Sequence, residues 1–142
     1  MTTLAANKAR RYEASPDPVF NDLPMVASDT IFEGAALGEN ASLGTYRPLV
    51  DGDNFGGFAV SQQINAGAAA AENVRAAQCG NVLLTLTDTI TAADKDAAVY
   101  ATDDDTFSIT DSGSDTQIGK IARFVSANTA IVYFEAAALR SV

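Results

Sequence analysis

Residues 81–90 read NVLLTLTDTI, and their alternation decides the fold class. Val82, Leu84 and Leu86 share one face of an extended chain, and Leu83, Thr85 and Thr87 share the other. This is the clearest strand in the chain. Upstream, INAGAAAAENVRAAQCG (64–80) is rich in alanine, which favours helix on propensity alone. Gly67 and Gly80 bracket it, however, and NVRAAQC alternates, so a loop over Asn65–Ala71 entering a strand over Glu72–Cys79 is the better reading. GGFAVSQQI (56–64), TYRPLV (45–50) and TIFEGAALG (30–38) read as further strands, the last headed by Ile31 and Phe32. The turn-rich GENASLG and the Asp51-Gly52-Asp53 step separate them.

Downstream, AAVYATDDDTFSIT (97–110) reads as a hairpin. Val99, Tyr100 and Ala101 lead in, Thr102–Asp105 turn, and Phe107 and Ile109 lead out. DSGSDT (111–116) is another turn. QIGKIARFVSANTAIVYFEA (117–136) is a closing hairpin with Ser126, Ala127 and Asn128 at its tip. Ile118 and the run Ile131–Phe134 supply its bulky strand formers. FEAAALRSV ends as a half-turn of helix or a tail. Short strands spaced by turns predict an all-β domain, a small barrel or a sandwich, over residues 29–142.

Residues 1–28 differ. Pro16, Pro18 and Pro24 interrupt a stretch of mixed charge with no sustained period. Ala5–Glu13 is long enough for only a marginal helix. An extended N-terminal arm is predicted, disordered or ordering on contact.

Composition excludes several chemistries. The chain has 142 residues, no His and one Cys, so His-based nucleophilic triads, a disulfide framework and a structural zinc site are all excluded within it. No apolar run reaches transmembrane length, and the N-terminal MTTLAANKARRYEASPDP lacks the apolar run of a secretory leader. The lone Cys79 fits a reducing compartment. Of the residues counted as hydrophobic, 27 are Ala, so the core must come from a modest set of larger side chains.

The net charge is −9, but it is uneven. Lys8, Arg10 and Arg11 give residues 1–12 a charge of +3, while residues 88–115 hold eight Asp against Lys95 alone. A net-acidic body repels nucleic acid and anionic membranes, so neither is an expected partner. The basic arm can still meet an acidic partner.

Asp103, Asp104 and Asp105 form the most conspicuous cluster. Hard cations take carboxylates, but the run lacks the alternating spacing of a dedicated calcium loop, and a hairpin turn is the simpler account. Paired-carboxylate catalysis needs geometry that eighteen scattered acids do not specify. Gly56–Gly57 and Gly113 open no helix and cradle no phosphate. Cys79 reads as a small buried hydrophobe. No catalytic residue, cofactor site or metal site is expected. Arg47 with Pro48, which belongs on a sheet edge, suggests a contact surface, as do Arg75 and Arg123; Arg123 could pair with an acid on a neighbouring strand or subunit.

The order of segments carries a resemblance. IFEGAALG, YRPLVDGDNFGGFA, NVRAAQCGNVLLTL, AAVYATDDDTFSIT and IGKIARFVSANTAIVYF succeed one another over about residues 30–135. This succession resembles the capsid decoration, or head cement, proteins of tailed bacteriophages. Those show a strand ending in G-x-A-[LV]-G, an R-P-L strand, a G-F-A strand, V-Y-A-[ST]-D-D-D-T-F and a closing I-G-[KR] strand. VYATDDDTF followed by IGKI is the most specific part. The resemblance implies a β-barrel or β-tulip-like domain that forms homotrimers. It implies binding to the major capsid protein on the outer surface of the virion head, after assembly in the host cytoplasm, with no catalytic residues. The long arm before Asp29 departs from shorter members. Within this expectation the arm residues Lys8, Arg10, Arg11, Tyr12 and Phe20 would contact the capsid. Arg47, Arg75, Arg123, Val132 and Phe134 would be candidates for the subunit interface, with Ile131–Phe134 or the Val82–Leu86 strand as its apolar part. The alternative is a particle-displayed β-sandwich adhesin or glycan-binding module, with Tyr46, Phe55, Phe58 and Tyr100 on a loop face.

Overall fold

A computed structural model describes residues 4–13, 19–41 and 43–139. The backbone is nearly all strand, as the alternation predicts, and no helix reaches seven residues. The strands are β1 (Tyr12–Glu13), β2 (Val19–Pro24), β3 (Asp29–Ile31), β4 (Ala36–Glu39), β5 (Tyr46–Pro48), β6 (Asn54–Ala59), β7 (Gln63–Asn65), β8 (Asn73–Thr85), β9 (Ala98–Ala101), β10 (Phe107–Ser108), β11 (Thr116–Ser126) and β12 (Thr129–Glu135). The main sheet runs β10-β9-β11-β12-β8-β6-β4-β5 and curls into a half-barrel, while β3 and β7 form a separate pair. Pro48 lies on β5, the last strand of that order, where a missing N–H is tolerated.

β8 organises the molecule. The sequence suggests two strands broken at Gly80, but the structure has one strand of 13 residues. Gly80 takes a positive φ of 146° and still pairs with Phe134. Distant segments supply the continuity. Ala77 pairs with both Phe20 and Phe58, Cys79 with both Val19 and Glu135, and Val82 with both Tyr12 and Val132. So β1 and β2 run along one edge of β8, and β6 and β12 share the other. The small side chains are what let these strands approach. A Cβ on Gly57, whose φ is +111°, would strike the Ala77 carbonyl.

TIFEGAALG is likewise not one strand. A turn at Gly34, φ +89°, separates β3 from β4, and the Lys8 carbonyl there occupies the space a Cβ would need. GGFAVSQQI divides into β6 and β7.

The main core is aromatic. Phe58 meets Phe134 edge-on at 5.0 Å and Phe107 at 5.9 Å, and Phe55 meets Phe134 at 6.2 Å. Val82, Leu84 and Leu86 face this cluster and are buried, while Thr85 and Thr87 are exposed, as the alternation requires. Ile118, Ile121 and Val132 complete it.

Two expectations are corrected here. Val132 and Phe134 are wholly buried in the core, so they present nothing to a second subunit; Ile131 is also buried. The N-terminal arm is extended, but it is built into the sheet. β2 pairs with β8 over its whole length, and Leu23 and Met25 fill a second core with Ile31, Leu37 and Val74. Burying two large apolar side chains stabilises this attachment by roughly 3–5 kcal/mol.

Candidate functional site: the N-terminal segment on the acidic hairpin

The cationic segment and the aspartate run, read separately in the sequence, meet in the structure. β9 and β10 bring residues 102–106 into a tight turn, closed by the Thr102 N–H donating to the Thr106 carbonyl at 3.1 Å. The hairpin expected at Thr102–Asp105 is therefore present, but its tip is not solvated. Asp103 and Asp104 are each about 1% exposed. The N-terminal segment reaches Asp104 and, beside it, Asp105. The Leu4 N–H donates to both Asp104 oxygens, at 3.0 and 3.2 Å. Lys8 and Arg10 both reach Asp105, at 3.0 and 2.8 Å.

Arg10 is the anchor. Its side chain is 4% exposed. Its Nε donates to the Gly34 carbonyl at 2.8 Å, and its guanidinium lies 5.4 Å from the Phe58 ring centroid and 5.3 Å from that of Phe107. The Lys8 N–H bonds the Glu33 carbonyl, which holds the segment against the β3–β4 turn. Tyr12 follows, its ring 6.1 Å from that of Phe134. Burial pushes its hydroxyl up to about 12, eased by Arg10 and reinforced by Glu33. That hydroxyl has no hydrogen-bond partner among the described residues.

Burial also raises the Asp104 carboxyl to about 6, from an ordinary 3.8; the Leu4 N–H opposes this rise, and Asp103 and Asp105 add to it. A carboxyl raised in the folded state destabilises the fold once ionised. This cost is absent well below pH 4, accrues between about pH 4 and 6, and is constant above that. Asp104→Asn keeps an acceptor for Leu4 and removes the charge. We expect it to raise thermal stability at about pH 7.5, with the gain vanishing toward about pH 4. A variant-minus-native difference that is flat with pH would disprove the assignment; paired calorimetry across that range measures it.

The other predicted residues divide. Arg123 pairs with Glu13 of β1 at 3.1 Å, so its acid lies on its own chain. Arg75 contacts Asp22 at 3.5 Å and lies 5.0 Å from the Phe20 ring, both partners being on β2. Arg47 makes a two-pronged pair with Asp53, at 2.9 and 3.1 Å, which raises the Arg47 pKa further. Gly38 leaves room for that carboxylate. Phe20 stays 46% exposed. These arginines are thus engaged within the chain, and Arg10 is absorbed by the body.

Arg11 is different. It is exposed, and it is the one described Lys or Arg without a carboxylate within salt-bridge reach among the described residues. It lines an open cleft of about 450 Å³ together with Leu83, Thr85 and Asp105–Phe107.

Sequence reasoning missed the stacking of Arg10 on two rings; the available signal was the +3 segment set against the Asp run. No group of three or more His, Cys, Asp or Glu among the described residues is placed to hold a metal ion. No protein-family model matches the chain, and no curated protein matches it in sequence.

Proposed function

We propose that this is a structural capsid-decoration protein that binds the major capsid protein on the outside of an icosahedral phage head, as a homotrimer, and strengthens contacts between capsid subunits. The observation that carries this reading is the succession of segments from Ile31 to Phe134, with VYATDDDTF and IGKI at its centre. The all-β body supports it. The role is mechanical, with no cofactor and no nucleic-acid or membrane partner. Avidity from several linked contacts supplies the affinity, because contacts after the first are effectively intramolecular. The glycan-binding alternative needs exposed aromatics, and it loses two of its four: Phe55 and Phe58 are core residues, and Tyr46 and Tyr100 are only half-exposed.

The test is co-sedimentation with undecorated, expanded heads of the source phage. Saturable binding at a fixed ratio to the major capsid subunit is expected. Absence of binding to those heads would overturn the reading. Deleting the first 28 residues is not a usable control, because Leu23 and Met25 would leave the second core with them.

A further inference from the structure

We infer that the cleft beside Arg11 is a docking site for an extended, acidic polypeptide segment of a partner protein. Three observations converge on it. The first is charge. In a chain of net charge −9, three of the cations, Lys8, Arg10 and Arg11, line this one cleft. Arg10 is spent on Asp105, Lys8 shares that same carboxylate while 47% exposed, and Arg11 has no carboxylate partner among the described residues. The cleft therefore presents uncompensated positive charge on a molecule that is otherwise acidic, which selects an acidic ligand.

The second is the backbone. β1 leaves the edge of β8 after the Leu83 N–H donates to the Arg11 carbonyl at 2.9 Å. The edge is taken up again at Leu86, which bridges Phe107 in parallel, with the Thr87 N–H donating to the Phe107 carbonyl at 2.9 Å. Between them Thr85 pairs on one side alone, with Thr129, and its other side opens on the cleft. That gap leaves the Thr85 backbone free to bond one residue of an extended segment lying across the cleft. The third is the lining: Leu83, which is only partly buried, borders the cleft beside these cations and would meet an apolar side chain between two acidic ones.

The inference specifies the chemistry of the surface on which the capsid reading rests, so its test must separate the two. The probe is a fluorescein-labelled peptide of alternating Glu and Val, about eight residues long, titrated into the full chain by anisotropy. Saturable binding is expected, weakened at least tenfold by Arg11→Glu, unchanged by Lys120→Glu, and falling with salt. Among the described residues the Arg11 side chain has no ion pair, so an unchanged melting temperature verifies that the variant is intact. Hydrogen exchange at the Thr85 amide should slow when peptide is bound.

No saturable binding would overturn the inference, as would equal binding by the Arg11→Glu variant. Equal binding of an oligothymidylate would overturn it too, since the cleft would then take any polyanion. Co-sedimentation with heads is run beside the peptide titration. Head binding without peptide binding sinks the cleft and leaves the capsid reading standing. Arg11-dependent peptide binding without head binding does the reverse.

Discussion

Arg10→Ala is expected to destabilise the protein by about 3–5 kcal/mol, the range for removing one partner of a buried ion pair. The side chain it truncates is almost wholly buried and makes three kinds of contact at once: to the Gly34 carbonyl, to Asp105, and to the faces of Phe58 and Phe107. Its loss leaves Asp105, 16% exposed, paired with the more exposed ammonium of Lys8. It also leaves the Gly34 carbonyl without that donor, and two rings without their cap. Arg10→Lys should recover little, because an ammonium cannot satisfy a carbonyl and a carboxylate in one plane while stacking on two rings. Thermal unfolding measures the loss. A double-mutant cycle with Asp105→Asn isolates the ion pair from the stacking. A melting temperature within a degree of the native value would mean that the N-terminal segment is not part of the folded body.

The same residue shows where the sequence could be read and where it could not. Strand β8 was legible over Val82–Leu86 because one face is core and the other water, which is the condition for alternation. The turn at residues 102–105 was legible from its Asp run. β2 was not. Its first four residues are all exposed and only Leu23 is buried, so it carries no period of two. It is a strand because β8 offers it an edge, and that edge is made of residues far along the chain, from Asn73 to Cys79. Gly80 misled for the same reason: a glycine marks a local break unless both flanks are held by distant strands. Arg10 and Asp105 are 95 positions apart, so no local pattern couples them. Burial of Asp103 and Asp104 ran against the general rule that Asp runs are solvated; at Asp104 the bonds from Leu4 and Ala36, both distant in sequence, account for it.

Phe134→Ala is expected to cost about 3–5 kcal/mol, the range for deleting a buried aromatic side chain. The ring is the hub of the core. It meets Phe58 at 5.0 Å, Tyr12 at 6.1 Å and Phe55 at 6.2 Å, and no part of it reaches solvent. The bulky run Ile131–Phe134 suits a subunit interface as well as a core on sequence grounds, and this substitution separates the two. A core residue makes unfolding easier at every protein concentration. An interface residue lowers stability chiefly on dilution, because its contribution scales with assembly. The expected result is a melting temperature lowered by the same amount at low and high concentration. Phe134→Leu, which keeps most of the volume, should lose much less. A drop that appears only on dilution would return Phe134 to the interface. Because Tyr12 packs on this ring, the core variant should also loosen β1, so that protease sensitivity around Arg10 and Arg11 rises along with the loss of stability. That coupling ties the hub of the half-barrel to the cationic segment on its surface, whose position rests on the packing of Tyr12 against Phe134 as well as on the anchoring of Arg10.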